Sequence, residues 1–277
     1  MVASPRHDLD GRYSGSTWYA DQNWDELERR CAVHVNVDST GGTGATVLKN
    51  AAAAPELIGL AGDAIGEQSG SEYAGNRMSR SSDQSFWGIG ISAMFGALSE
   101  QPPAPVKMRN ALGWWWHTPH DLLDKIDEKN LVRDTRVFVH TLWRLLSDPL
   151  LPLDFAAHAN SLLNELTALR TSLGARFSVD DLIAAAEKLK DMASGMHSDK
   201  ALIRASRALA PVYYTTGDRF AHDPALPLPG WPVLDPLRKL AKMAPGTDSA
   251  RLLTVSAMRG RNRLAYALRN ANEVLAV

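Results

Sequence analysis

The chain of 277 residues has a single cysteine, Cys31, which excludes a disulfide within the chain. One lone thiol fits a reducing compartment, where structural disulfides are rare. No apolar run reaches the ~18 residues that a membrane-spanning helix needs. The first ten residues, Met-Val-Ala-Ser-Pro-Arg-His-Asp-Leu-Asp, lack the apolar core of a secretory signal. Excess charge is missing too: 30 Lys and Arg against 31 Asp and Glu leave a formal net charge of -1. That balance gives no bulk attraction to nucleic acid or to an anionic membrane. The expectation from these absences is a cytoplasmic protein with neither nucleic acid nor membrane as partner.

What is present is ordinary globular material, with 45% hydrophobic and 22% charged residues. The length suits one large domain or two ordinary ones. Character changes near Pro149 and Pro152. Before that point short apolar runs alternate with helical patterns and glycine loops, which predicts an α/β domain over 1–148. After it nearly everything is helical, which predicts an all-α domain over 149–277. In the first part Asp21–Arg30 reads as a helix and 31–37 as a strand buried on both faces. A helix over 51–67 and a second buried strand over 89–95 follow. In the second part Leu162, Leu166, Leu169 and Leu173 share a face, as do Leu182, Ala186, Leu189 and Met192. Ser178 and Asp181 have capping-box spacing, and 252–277 reads as a long closing helix.

Two residues stand out as candidates for chemistry. Asp38 directly follows the first strand and faces the loop Ser39-Thr-Gly-Gly-Thr-Gly44. Ligands of open α/β sheets bind at the carboxyl ends of strands, although an aspartate there also caps its own turn. His117 follows Trp114, Trp115 and Trp116 and precedes Thr118, Pro119 and Asp121, which read as a helix start. Imidazole is the commonest metal-ligating side chain, and a carboxylate nearby can hold its tautomer. The alternative is a histidine packed beneath the tryptophans. Two ligands do not complete a catalytic zinc site, which takes about three from the protein. A polar stretch, Ser79 to Phe86, lies before the second strand and serves either as a substrate contact or as a well-bonded loop.

In order, these segments resemble the catalytic half of the di-zinc aminopeptidase and glutamate carboxypeptidase family. The family's Asn-x-Asp strand end reads here as Asn36-Val37-Asp38. Its Ser-Asp-x-x-x-Phe stretch is approached by Ser82-Asp83-Gln84-Ser85-Phe86, which is one residue shorter, and its aromatic-His-Thr-x-x-Asp motif reads as Trp116-His117-Thr118-Pro119-His120-Asp121. Gly11 to Tyr19, read as Gly-x-x-x-Gly-Ser-x-x-Tyr, is similar to the family's Gly-x-x-Gly-Ser-x-x-Tyr stretch with one residue inserted. The resemblance covers roughly residues 11–147 and implies Asp38 and His117 as zinc ligands. It places Ser82, Asp83 and Trp116 at the substrate, and a peptide as that substrate.

The resemblance also implies a partial zinc-exopeptidase-like α/β/α sheet domain, followed by a helical domain similar to the dimerisation domain of glutamate carboxypeptidase and transferrin receptor. A homodimer through that helical part is expected. Family members carry a His-x-Asp pair, a zinc-bridging aspartate and a Glu-Glu pair upstream of the Gly-Ser stretch. Only ten residues precede Gly11 here, with Asp8 and Asp10 near the Glu-Glu position. The expectation is therefore an N-terminally truncated hydrolase, inactive alone, or a non-catalytic relative that acts in association.

Overall fold

The computed structural model describes residues 14–79, 85–103, 111–195, 198–217, 219–220 and 228–276. In chain order the elements are α1 (Ser14–Gln22), α2 (Trp24–Arg30), β1 (Val33–Val35), β2 (Ala52–Ala53), α3 (Ile58–Ser69), β3 (Asn76–Arg77) and β4 (Ser92–Met94). Six helices follow: α4 (Glu128–Ser147), α5 (Phe155–Leu173), α6 (Asp180–Ala193), α7 (Asp199–Tyr214), α8 (Asp235–Lys242) and α9 (Asp248–Leu275). The class is mixed α/β, with helix dominant among the described residues.

The strands are shorter than their apolar runs suggest. The stretch 31–37 contributes only Val33–Val35, and those residues are half-buried rather than covered on both faces. The stretch 89–95 contributes Ser92–Met94, which is fully buried. Its first residues instead turn through Gly90 at φ 97. The helix expected over 51–67 starts seven residues late. Ala52–Ala53 pairs as β2, and Pro55 opens a 3-10 turn over Pro55–Leu57 before α3 begins. Proline has no N–H to donate and fixes φ, so an α-helix is readily begun after it but not continued through it. The helix read over 21–30 is divided at Asn23 between α1 and α2.

The four strands form one mixed sheet in the order β1-β4-β2-β3. β2 runs parallel to β3, with Ala52 opposite Asn76 and Ala53 opposite Arg77. It runs antiparallel to β4, with Ala53 opposite Met94.

Two compact units result, interleaved in sequence. The sheet unit comprises Val33–Ser82 and Ala93–Pro152; the helical unit comprises Met1–Ala32, Asp83–Ser92 and Leu153–Val277. One junction, at Pro152, lies by the change of character seen in the sequence. Segments 1–32 and 83–92, however, cluster with the helical part.

In the sheet unit, α3 ends at Gly70, whose left-handed φ of 67 lets its N–H close on the Gly66 carbonyl. Tyr73 lies against this helix, its ring 3.3 Å from where a Gly62 Cβ would stand. Its buried hydroxyl has no hydrogen-bond partner. Burial pushes the phenol well above its ordinary pKa. Removing an unpartnered buried hydroxyl is close to neutral or stabilising. Tyr73→Phe is therefore expected to leave stability unchanged or raise it by up to about 1 kcal/mol, read from the urea midpoint. A loss above that would mean the hydroxyl has a partner.

The helical unit is held by the leucine stripes. Leu162, Leu166, Leu169 and Leu173 on α5 are all buried, as are Leu182, Ala186 and Leu189 on α6, while Met192 is half-buried. Side-chain caps start α5 at Asp154, α7 at Ser198 and α9 at Thr247, each accepting an N–H three residues on. The Ser178–Asp181 capping box does not form. α6 begins at Asp180, whose N–H donates to Ser178 Oγ. Asp181 is engaged instead by Arg261 of α9. α9 starts at Asp248, four residues before its expected start, because Thr247 supplies the cap.

Also in this unit, Arg207 of α7 is only 8% exposed. It donates to four backbone carbonyls: Nε to Glu28 at 2.7 Å, one terminal nitrogen to Gly90 at 2.8 Å, and the other to Leu27 and Cys31. Burial lowers its pKa, while the charge of nearby Glu28 acts the other way.

Candidate functional site

Both expected metal ligands fall in the sheet unit. Asn36, which opens the first motif, is tied at two points: its N–H donates to Met94 O at 3.0 Å and its side-chain amide to Gly96 O at 2.8 Å. Asp38, two residues further, is half-buried, and its Oδ1 accepts from Ser39 Oγ at 3.0 Å. The chain then bends sharply, with Ser39, Gly41 and Gly44 all at left-handed φ. Gly41 has no room for a side chain: a Cβ there would lie 2.7 Å from Leu131 Cβ on α4. Close approach of the loop to the helix therefore demands glycine.

His117 lies in a different local structure from the expected helix start. Gly113, at φ 108, begins a tight turn in which Trp116 N–H donates to Gly113 O and Thr118 N–H to Trp115 O at 2.9 Å. The Thr118 hydroxyl donates to the same Trp115 carbonyl at 2.6 Å and accepts from His120 N–H. Thr118 is thus spent on the turn rather than on a helix's first amides. The α-helix begins at Glu128 instead, because Asp127 accepts the N–H of Asn130 at 2.8 Å. Between them lies a 3-10 turn over Leu123–Lys125.

This turn buries Trp115 and leaves His117 exposed, contrary to a histidine packed beneath the tryptophans. The imidazole stacks on half-buried Trp116, with centroids 3.4 Å apart and planes 18° apart. His117 itself holds φ 63, a conformation that costs a non-glycine residue on the order of 1–3 kcal/mol. Such outliers persist where the surroundings hold them and often mark functional positions. Trp116 is the one expected substrate contact within the described residues. Ser82 and Asp83 lie outside them.

The loop after Asp38 and the segment after His117 are joined. Gly42 and Ile126 form an antiparallel bridge, with Thr43 N–H donating to Lys125 O and Asp127 N–H to Gly41 O, both at 2.8 Å. Asn130 adds a side-chain bond to Gly42 O at 2.9 Å. Beneath this junction sits Asp134 of α4, fully buried. One carboxylate oxygen accepts from Gly41 N–H at 2.9 Å and Ser99 Oγ at 2.7 Å; the other accepts from Arg133 at 2.7 and 2.8 Å. Arg133 also donates to Ala45 O and to Asn130.

Asp134 thus fixes the glycine loop from below, a role that the sequence reading missed. The signal was available. Asp134 occupies the same helical face as Val137, Phe138 and Thr141, the buried residues of α4. A carboxylate on a core stripe must be paired.

Chemically, the two segments offer a half-buried carboxylate, Asp38, and an exposed imidazole, His117, which precede the bridged Gly42 and Ile126 by four and nine residues. Oxygen and nitrogen donors of these kinds suit zinc. Among the described residues no three His, Cys, Asp or Glu gather as a metal-holding group. Nor is any helix among them long and apolar enough to cross a membrane. No protein-family model matches the chain, and no curated protein matches it.

Proposed function

We propose that the chain is the strand-end portion of a zinc-dependent exopeptidase-type hydrolase acting on peptide substrates in a reducing, cytoplasmic setting. Asp38 and His117 are its zinc ligands, with Ser82, Asp83 and Trp116 toward the substrate. The observation that carries this reading is the ordered series Asn36-x-Asp38, Ser82-Asp83-x-x-Phe86 (one residue shorter than the family's stretch) and Trp116-His117-Thr118-x-x-Asp121. The backbone bridge between the loops that follow Asp38 and His117 supports it. Bound zinc supplies a water with a pKa near ~7 and polarises the scissile carbonyl. Within this chain, Asp38 and His117 hold donor atoms and Trp116 orients the imidazole by stacking.

Zinc titration followed by elemental analysis tests the reading. About one zinc per chain is expected, removable by chelator, with Asp38→Ala and His117→Ala each weakening affinity by more than about tenfold. Binding well below one equivalent, or equal binding by both variants and the parent, would sink it.

A second reading is a non-catalytic, peptidase-like module that associates through its helical part. Supporting it are Leu252, Val255, Met258 and Tyr266, which stay exposed on α9. This reading expects a dimer that survives chelation.

A further inference from the structure

α4 carries two apolar faces, one covered and one open except at its edge, where the Gly41 loop approaches Leu131. Asp134, Val137, Phe138 and Thr141 face the interior. On the other side, Leu131, Val132, Val139, Leu142, Trp143 and Leu146 are all exposed, Trp143 at 69% and Leu146 at 84%. At 100° per residue these six fall within about 120° of the helix circumference, so they form one continuous stripe. Only Thr135 and the terminal Glu128 interrupt that sector.

The exposed α9 residues share a sector too. There, however, Arg251, Arg259, Asn262 and Arg269 stand among them, all exposed. α4 presents the apolar face and α9 a mixed one.

We propose that the outer face of α4 is the self-association surface of this protein and that its occupant is α4 of a second copy. The area argues for it. With Trp143 at up to ~250 Å² and each aliphatic side chain at roughly 100–150 Å², the six exposures amount to about 450–550 Å² of apolar area per copy, near the apolar share of what each partner in an interface of standard size buries. The largest apolar patch on a typical monomer is about 300–600 Å². Each partner in a stable interface buries about 800 Å².

The stripe is also self-complementary about its midpoint. An antiparallel two-fold crossing at Val139 sets Val139 on its own copy, bulky Trp143 over Thr135, and Leu146 over Val132. A β-branched residue at the crossing allows an interaxial distance of about 8–10 Å. A closed two-fold pair buries the stripe on both copies at once and leaves no free end to extend. This inference does not depend on zinc, and it puts the dimer in the sheet unit rather than in the helical part.

Sedimentation velocity of the full chain is expected to give a dimer of twice 30.2 kDa at micromolar concentration, with or without chelator. The double variant Trp143→Glu/Leu146→Lys is expected to weaken dimerisation at least 100-fold while keeping the parent's circular dichroism, with a melting midpoint that no longer rises with protein concentration. Both residues lie outside the core, so the fold tolerates them.

Val139→Cys in a Cys31→Ser background locates the contact independently. At the crossing the two Cα atoms lie roughly 4–5 Å apart, within disulfide reach, so mild oxidation is expected to cross-link the dimer almost completely. A monomeric parent overturns the proposal. So does a dimer that the charged variant leaves intact, or one that cross-links through Leu252→Cys on α9 but not through Val139→Cys.

Discussion

Arg207→Met is expected to cost at least about 4 kcal/mol and to leave the helical unit poorly folded at 37 °C. Methionine matches the aliphatic stem, so lost packing contributes little. What disappears is a charge that donates to four backbone carbonyls, those of Leu27, Glu28, Cys31 and Gly90; of these, Leu27 O keeps the Cys31 N–H and Gly90 O keeps the Ser206 hydroxyl. Each hydrogen bond to a charged group contributes about 1.5–3 kcal/mol, and a buried acceptor left unsatisfied costs about 1–3 kcal/mol. Even with partial relaxation and water entry the sum remains large.

The same contact explains why Gly90 is a glycine. A Cβ there would stand 2.5 Å from Arg207 Cα, in a backbone already at φ 97. One guanidinium thus ties the end of α2 and the turn before β4 to α7. Urea denaturation of the variant checks the magnitude. Arg207→Lys provides the control, since it keeps the charge but cannot reach all four carbonyls, and an intermediate loss is expected. A loss under about 1 kcal/mol for Arg207→Met would show that water replaces the guanidinium freely.

Asp134→Ala is the second large effect, expected at about 3–5 kcal/mol, the usual result of removing one partner of a buried charged pair. Gly41 N–H and Ser99 Oγ lose their acceptor, and Arg133 keeps only Ala45 O and Asn130. Asp134→Asn retains one acceptor oxygen and should cost less, about 1–3 kcal/mol.

The two variants also separate structure from function. Asp134 holds the loop that leaves Asp38, so it is a positioning residue for the proposed zinc site. In the folded Asn variant, zinc affinity should fall by about 10–100-fold, as for other groups that orient a ligand indirectly. Unchanged affinity with reduced stability would restrict Asp134 to a purely structural role.

How much of this was readable in advance depends on the range of the interaction concerned. Leu162, Leu166, Leu169 and Leu173 announce α5 because a 3.6-residue period is local and the buried face follows directly from it. The long closing helix is legible for the same reason. The strands were not: a short apolar run looks alike whether it becomes strand, turn or buried loop, and pairing partners decide among these. Thus 89–95 yielded three strand residues and a turn at Gly90. Thr118 and Asp127 both qualify as helix caps in sequence, so spacing alone does not choose between them. Only the turn through Gly113 shows that the first is already committed.

From the sequence alone came the mixed class and the helical stripes of α5 and α6, which rest on composition or on spacing within a segment. Tertiary structure decided what distant segments do to one another. It set the bridge between Gly42 and Ile126, gave Asp134 its role under the glycine loop and Arg207 its four carbonyls, and left one face of α4 largely uncovered. These depend on partners between roughly 35 and 180 residues away along the chain. A hydrogen bond or an apolar contact acts over a few ångströms of space, and no local periodicity encodes which remote residue will be there.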